Sequence, residues 1–345
     1  MKRFFAILAV VCLASSASAG DAVVSIVATS DGFLVAQGER ATIELADRDG
    51  QALWSTPGVD HPTKIVVADD GKRAAVLDPL NNQLRIVDLG THTSTLVRTG
   101  ETPVDAAFLG DALFVLDRDA RLVERVTIGG AKAALQVPVD TIFLRAAGDR
   151  LYVYSRGDGV LVEIGTAPFA TLRTATVRPH ASDCIVARGN AYLLYPHDAQ
   201  IARVSLASMT VEGQVNAGNM PMAIAVVSGP TALSALTFAV ADPAAKRVWT
   251  IEAPQSTKAA VGHGFLAGVL GVGVFKGRAS EFPTGVDRVA IAGSSSIAYD
   301  TSSGTLYRFT KKESSVLMKD VPPNAWAVSP TGVAVWAGGR LQMVK

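Results

Sequence analysis

The chain has 345 residues, of which 49% are hydrophobic and 18% charged, with 32 basic side chains against 31 acidic ones. Such a composition excludes a disordered polymer, and the lack of a basic excess excludes a nucleic-acid-binding footprint. Only two cysteines are present, so a disulfide-stapled scaffold is excluded as well, and stability must come from burial.

The first nineteen residues, MKRFFAILAVVCLASSASA, place Lys2 and Arg3 before an apolar run from Phe4 to Leu13. Ala17 and Ala19 follow at the minus three and minus one positions of a cleavage site, which predicts an export signal over 1–19 and a mature domain over 20–345. The apolar run is too short to span a bilayer, and no later stretch reaches the roughly 18 to 20 apolar residues that a membrane helix needs. The mature chain is therefore expected in the periplasm, at the cell surface or outside the cell, with no transmembrane segment. Val11 stands where a lipidated cysteine at position 12 would need a small residue, which argues against a lipid anchor. Cleavage removes Lys2, Arg3 and Cys12, leaving 30 basic against 31 acidic residues and Cys184 as the sole thiol.

From Asp21 onward short apolar runs alternate with tight-turn residues. The second run of each unit reads FLVA, AAVL, LFVL, LYVY, YLLY, TFAVA, SIAY and VAVW in turn. The residues that close these runs are Gln37, Asp78, Asp117, Ser155, Pro196, Asp242, Asp300 and Ala337, at spacings of 41, 39, 38, 41, 46, 58 and 37. Turn-forming stretches such as SDG (30–32), DDG (69–71), AGDR (147–150), RGN (188–190) and SPTG (329–332) precede them. Each unit predicts four strands. The second is apolar throughout, as in a strand covered on both faces, and the fourth is polar, as in TSTLVRT and TLRTATV, which suits a solvent-facing edge.

A repeat of four strands near forty residues is the pattern of β-propeller blades. One such sheet cannot bury both faces, whereas sheets stacked in a closed ring cover one another. The predicted fold is an all-β propeller of seven to eight four-stranded blades. Eight is favoured, because seven complete units to Val321 and three further strands after it make thirty-one.

The units resemble the YVTN-type propeller repeats of surface-layer and other exported bacterial proteins. The second unit, HPTKIVVADDGKRAAVLDPLNNQLRIVDLGTHT, carries the likeness through Pro62, the Asp70-Gly71 turn, Asp78, an Asn in the loop and the IVD of its third strand; the third unit keeps Pro103 and LFVLD. The resemblance implies a fold and no reaction. In LADRDGQALWST (45–56), Ala46, Asp47, Gly50 and Trp54 resemble one copy of the blade-closing tryptophan motif of pyrroloquinoline-quinone dehydrogenases and their non-enzymatic relatives. The local reading is a turn with Trp54 packed on the next blade.

Loops from a fourth strand to the next inner strand, and from second to third strands, emerge on one face of a propeller, where function is usually displayed. They carry His61, Asp105, Asp140, Arg178, His180, Asp183 and Asp287, each within a few residues of a proline. These carboxylate, imidazole and guanidinium groups are the candidates for a polar pocket at the channel mouth, taking a small polar ligand or, alternatively, calcium or another divalent cation. Cys184, beside Asp183, is expected to pack inside; as a nucleophile it would need a base, and His180 is the one near it in sequence.

The RPH stretch at 178–180 is similar to the Pro-Arg-His loop of lactone-hydrolysing propellers with its first two residues exchanged. No His-Glu-x-x-His, Gly-x-Ser-x-Gly or Cys-x-x-Cys motif is present. The 58-residue spacing contains FLAGVLGVGVFKGRASEF, residues 265–282. Its Phe265, Leu266, Val269, Leu270 and Phe275 are expected to form an apolar flap or partner-docking loop on the same functional face, or else a hairpin tucked against the blades. The expected function is that of a binding scaffold for a protein or a small polar ligand, without cofactor. The alternative is a lactonase-type hydrolase. Oligomeric state is left open by the sequence.

Overall fold

Backbone alternation organises everything that follows: four short strands joined by tight hairpins form one antiparallel sheet, and the chain then begins the next. The structure, a computed structural model, describes residues 23–127, 132–227, 236–254, 278–292, 295–310, 313–329, 332–338 and 340–344. Its 31 described strands form eight sheets, seven of four strands and a last one of three. In the first sheet the strands run Val23–Ala28, Phe33–Gln37, Thr42–Ala46 and Ala52–Pro57 in spatial as in chain order. The others repeat this arrangement, so the chain is an eight-bladed propeller, the larger of the two ring sizes expected.

Side chains of a strand point alternately to its two faces, which explains the apolar second strands. Phe33 and Val35 pack toward the eighth sheet with Ala334 and Trp336, while Leu34 and Ala36 pack toward the second with Ala74 and Val76. In the third sheet Leu113 and Val115 join one cluster, and Phe114 and Leu116 the next. Eight such clusters lie between neighbouring sheets and close the circle. Each fully buried Val, Leu, Ile or Phe stabilises by roughly 1.5–3 kcal/mol, so the ring holds without disulfides. Outer strands are wetter, as their polar sequences predicted: Thr93–Arg98 and Phe169–Thr176 are mostly exposed. At the closure, Gly50 (φ 82°) lies so near the eighth sheet that a Cβ would sit 2.7 Å from the Leu341 carbonyl oxygen. Trp54 of the tryptophan motif stacks on His92 of the second sheet, with ring centroids 4.9 Å apart.

One turn recurs in all seven four-stranded sheets. The residue just before the third strand is left-handed: Ala41, Asn82, Arg121, Gly159, Ala199, Lys246 and Gly304. Its carbonyl accepts the N–H of the residue that leaves the outer strand, namely Gly58, Thr99, Val137, Val177, Ala217, Phe282 and Val321. The second-to-third and outer-to-inner connections are thereby tied together along one rim, called here the tied rim. Inner-to-second and third-to-outer connections occupy the opposite rim.

This topology corrects the reading of the long spacing. In the sixth sheet the third strand is Arg247–Glu252 and the outer strand is Arg278–Glu281. The extra residues therefore connect a third strand to an outer strand, which puts their attachment points on the rim opposite the one expected. The end of the 265–282 segment is ordinary blade, with Phe282 buried against Tyr307. Phe265, Leu266, Val269, Leu270 and Phe275 lie outside the described residues, as does the expected signal over 1–19.

Candidate functional site

Buried acceptors at the ends of the second strands shape the tied rim. Asp78 accepts from the Asn81 backbone N–H, the Asn81 amide and the Gln83 amide. Asp242 accepts from the backbone N–H groups of Asn219, Met220 and Ala245 and from the Trp249 indole. Asp300 takes the Ser302 and Ser303 hydroxyls, each at 2.6 Å, and the Ser302 N–H. Ser155 plays the same part by accepting the Asp158 N–H on its hydroxyl, which in turn donates to the Val139 carbonyl. These positions recur in the sequence because an acceptor there satisfies turn N–H groups that would otherwise be buried unpaired.

The predicted site residues are placed on or just inside the tied rim, and three of them, Asp105, Arg178 and Asp183, use their side chains to join neighbouring sheets. Asp105 is 2% exposed and accepts from four donors: the Ala106 and Leu144 N–H groups, Lys64 Nζ at 2.5 Å and Arg145 Nη1 at 2.7 Å. Asp183 repeats the arrangement, accepting from Cys184 N and, across to the next inner strand, Ile224 N. Burial raises the Asp183 pKa despite the opposing pull of Arg145. Burial is the largest influence on Arg145 and works against its charge, but Asp105, Asp183 and the neighbouring Cys184 together outweigh it and hold the guanidinium more firmly protonated than usual.

Elsewhere on the rim the candidates pair locally. Asp140 takes both Nε and Nη2 of Arg156, and the His180 N–H donates to the Arg156 carbonyl. Arg178 reaches Asp198, Gln200 and Gln214 in the fifth sheet. Asp287 caps Thr301 through its N–H and hydroxyl. His61 is exposed in the loop before the second sheet. The structure thus brings Asp140, Arg156 and His180 together, and separately Asp105 with Lys64 and Arg145. Among the described residues, no group of three or more His, Cys, Asp or Glu is placed to hold a metal ion.

Cys184 is buried with Tyr154 and Leu193, and burial pushes its thiol up to about 12, so it is no nucleophile at neutral pH. His180 by contrast is exposed on the rim.

Sequence reasoning missed two features. The first is Lys64 and Arg145, charges on inner strands whose other residues, Thr141 apart, are apolar. Together with Asp105 they stand at a cavity of about 380 Å³ lined by the inner strands of the second, third and fourth sheets. The signal was there, since a charge in a strand facing the channel has no apolar partner to satisfy. The second is a set of exposed apolar side chains on the tied rim: Leu80 (74% exposed), Val139 (47%), Met220 (42%) and Met222 (39%). The other large exposed apolar residues described, Leu53, Leu96, Leu172, Val211 and Val316, lie on outer strands, and none lies on the opposite rim.

No protein-family model matches the chain, and no curated protein matches it by sequence. Solved structures match it throughout by shape. The computationally designed Ika8 protein aligns with a TM-score of 0.64 at 10% identity, over 94% of this chain and 97% of that one. The dihydro-heme d1 dehydrogenase NirN aligns at 0.67 and 11% identity, over 90% and 73%. BamB from Moraxella catarrhalis aligns at 0.61 and 11% identity, over 92% and 96%. At such identities the likeness shows the propeller fold alone.

Proposed function

We propose that this chain is an exported, non-catalytic binding scaffold that engages a protein partner through its tied rim, in the periplasm or at the cell surface. The observation that carries this reading is that the buried aspartates fix the turns on which the exposed apolar residues stand. Asp78 holds the turn that displays Leu80, and Asp242 binds the N–H of Met220 itself. Apolar groups on pre-ordered backbone lose little entropy on docking, which is what a protein-binding face requires. Engagement of Asp105, Asp140, Arg178, Asp183 and Asp287 in structural bonds supports a scaffold over a hydrolase, because these groups are occupied in place of poised.

A photo-crosslinking residue placed at 80 or 222, and as controls at 53 or 172, tests the reading in cells of the source organism. A discrete adduct from the rim positions and none from the outer-strand positions is expected. Adducts that are equal from all four sites contradict it. Export is tested on the same preparation by intact mass, which is expected to show a chain beginning at Gly20; a chain retaining Met1 contradicts export through this signal.

A further inference from the structure

We propose that the segment Met220-Pro221-Met222 on the tied rim binds one soft monovalent metal cation, copper(I) or its analogue silver(I), through the two methionine thioethers. The site shares residues with the docking rim but does not depend on docking, because the cation is taken up by the isolated chain.

The segment joins the outer strand of the fifth sheet, Thr210–Asn216, to the inner strand of the sixth, Ala223–Val227. Asp242, fully buried, fixes its backbone by accepting the N–H groups of Asn219 and Met220. The Met222 N–H donates to the Ala241 carbonyl at 2.8 Å, which leads the segment into the pairing of inner and second strands. Pro221 is buried, while Met220 and Met222 on either side of it are 42% and 39% exposed. Residues i and i+2 of a chain that alternates in this way stand on one side of it, about 6.5–7 Å apart. Two side chains with three rotatable bonds each can bring both sulfurs onto a single ion across that gap. Neither residue belongs to a cluster packed between sheets, and a backbone already fixed loses little order when the ion binds.

The chemistry of the donors selects the ion. A thioether is neutral and polarisable, and such ligands favour copper(I) over hard cations such as calcium and magnesium, which take oxygen donors. Other soft donors are less open: Met209 is buried, Met318 and Met343 pack against clusters between sheets, and the Cys184 thiol is buried and protonated. Among the described residues, His, Cys, Asp and Glu form no group of three or more that could hold a metal, so the thioether pair does not compete with a harder site.

The test is calorimetric titration of the mature chain with silver nitrate in chloride-free buffer at pH 7 and pH 5. One equivalent is expected to bind with a Kd at or below about 10 µM. The affinity is expected to be equal at the two pH values, because a thioether has no proton to lose, whereas a site built on the exposed imidazoles of His180 or His197 weakens as pH falls. The Met220→Leu, Met222→Leu double variant, close to the parent in volume, is expected to lose affinity at least about tenfold with its thermal midpoint unchanged. On the unaltered chain, silver is expected to protect Met220 and Met222 from hydrogen peroxide, read by peptide mass as absence of the added oxygen, which decides the matter even where the variant fails to fold. The proposal is overturned if silver gives no heat at about 1 mM, if affinity falls at least about tenfold between pH 7 and pH 5, if the double variant binds as the parent does, or if both methionines oxidise equally with and without silver. None of these measurements involves a partner, so their failure is distinct from failure of the docking role.

Discussion

The Asp183 carboxylate of one inner strand accepts the backbone N–H of Ile224 in the next sheet, as Asp105 accepts that of Leu144. Inner strands of adjacent propeller blades have no sheet pairing with each other, so a carboxylate that reaches across supplies the hydrogen bond that the ladder does not. Asp105 adds to this its two cations.

Replacing Asp105 by Ala therefore removes the acceptor of four bonds and leaves Arg145 partly buried without its hydrogen-bonded counterion, the Asp183 carboxylate being the opposite charge that remains near it. Loss of about 2–3 kcal/mol is expected, below the full value for a wholly buried pair because Lys64 and Arg145 keep some contact with water. Urea unfolding monitored by tryptophan fluorescence measures it, and a change under about 0.5 kcal/mol shows that the clamp is ornamental.

Asp242 and Gly218 set a second constraint. Gly218 has φ 120°, and a Cβ on it would run into Asp242 Oδ2 and the Trp249 indole. Gly218→Ala should cost about 2 kcal/mol or more, since both backbone angle and space forbid the change. Arg121, left-handed at φ 57° with an exposed side chain, is the converse case. Arg121→Gly should leave stability unchanged or raise it by under about 1 kcal/mol, and the pair of thermal melts separates the two.

Cys184, with its thiol held protonated by burial, should resist a thiol reagent at pH 8 in the native mature chain and react with one equivalent once guanidinium unfolds it. Stoichiometric reaction under native conditions contradicts the burial.

Asp300 governs an acid limb. Burial disfavours its charge, but the Ser302 and Ser303 donors outweigh it and hold the carboxyl below the usual aspartate range. The stability it contributes is thus fully present above the ordinary value of about 3.9 and is lost as pH falls through the lower, folded value. Asp300→Asn should be less stable than the parent at pH 7, with the gap closing below about pH 4. A gap that stays constant down to pH 2 shows that the carboxylate charge is not what matters.

The ring was legible in the sequence because its cause is local: a second strand buried on both faces must be apolar throughout, and a turn acceptor must close it, as Val76, Leu77 and Asp78 do. Counting such units narrowed the ring to seven or eight blades with eight favoured, and the eight sheets of the structure settle it. The site was less legible, since aspartates beside prolines look alike whether they bind a ligand or a backbone. Only the fold shows that Asp183 faces Ile224 and that Arg178 reaches across to Gln214. The long spacing misled for a related reason. RASE carries no strand pattern strong enough to reveal an outer strand, and with that strand unseen the attachment was assigned to the wrong rim. Exposed apolar residues such as Leu80 were hidden inside a turn, where an apolar side chain contributes nothing to periodicity.

The account rests most on the claim that the tied rim is a docking face. Once crosslinking has supplied the partner, its affinity for the parent, for a Leu80→Glu, Met222→Glu double variant and for a Leu53→Glu, Leu172→Glu double variant decides the matter. The rim pair is predicted to lower affinity at least about a hundredfold with its thermal midpoint unchanged, and the outer-strand pair to leave affinity intact. Equal affinity for parent and rim variant, or a loss confined to the outer-strand variant, would contradict it.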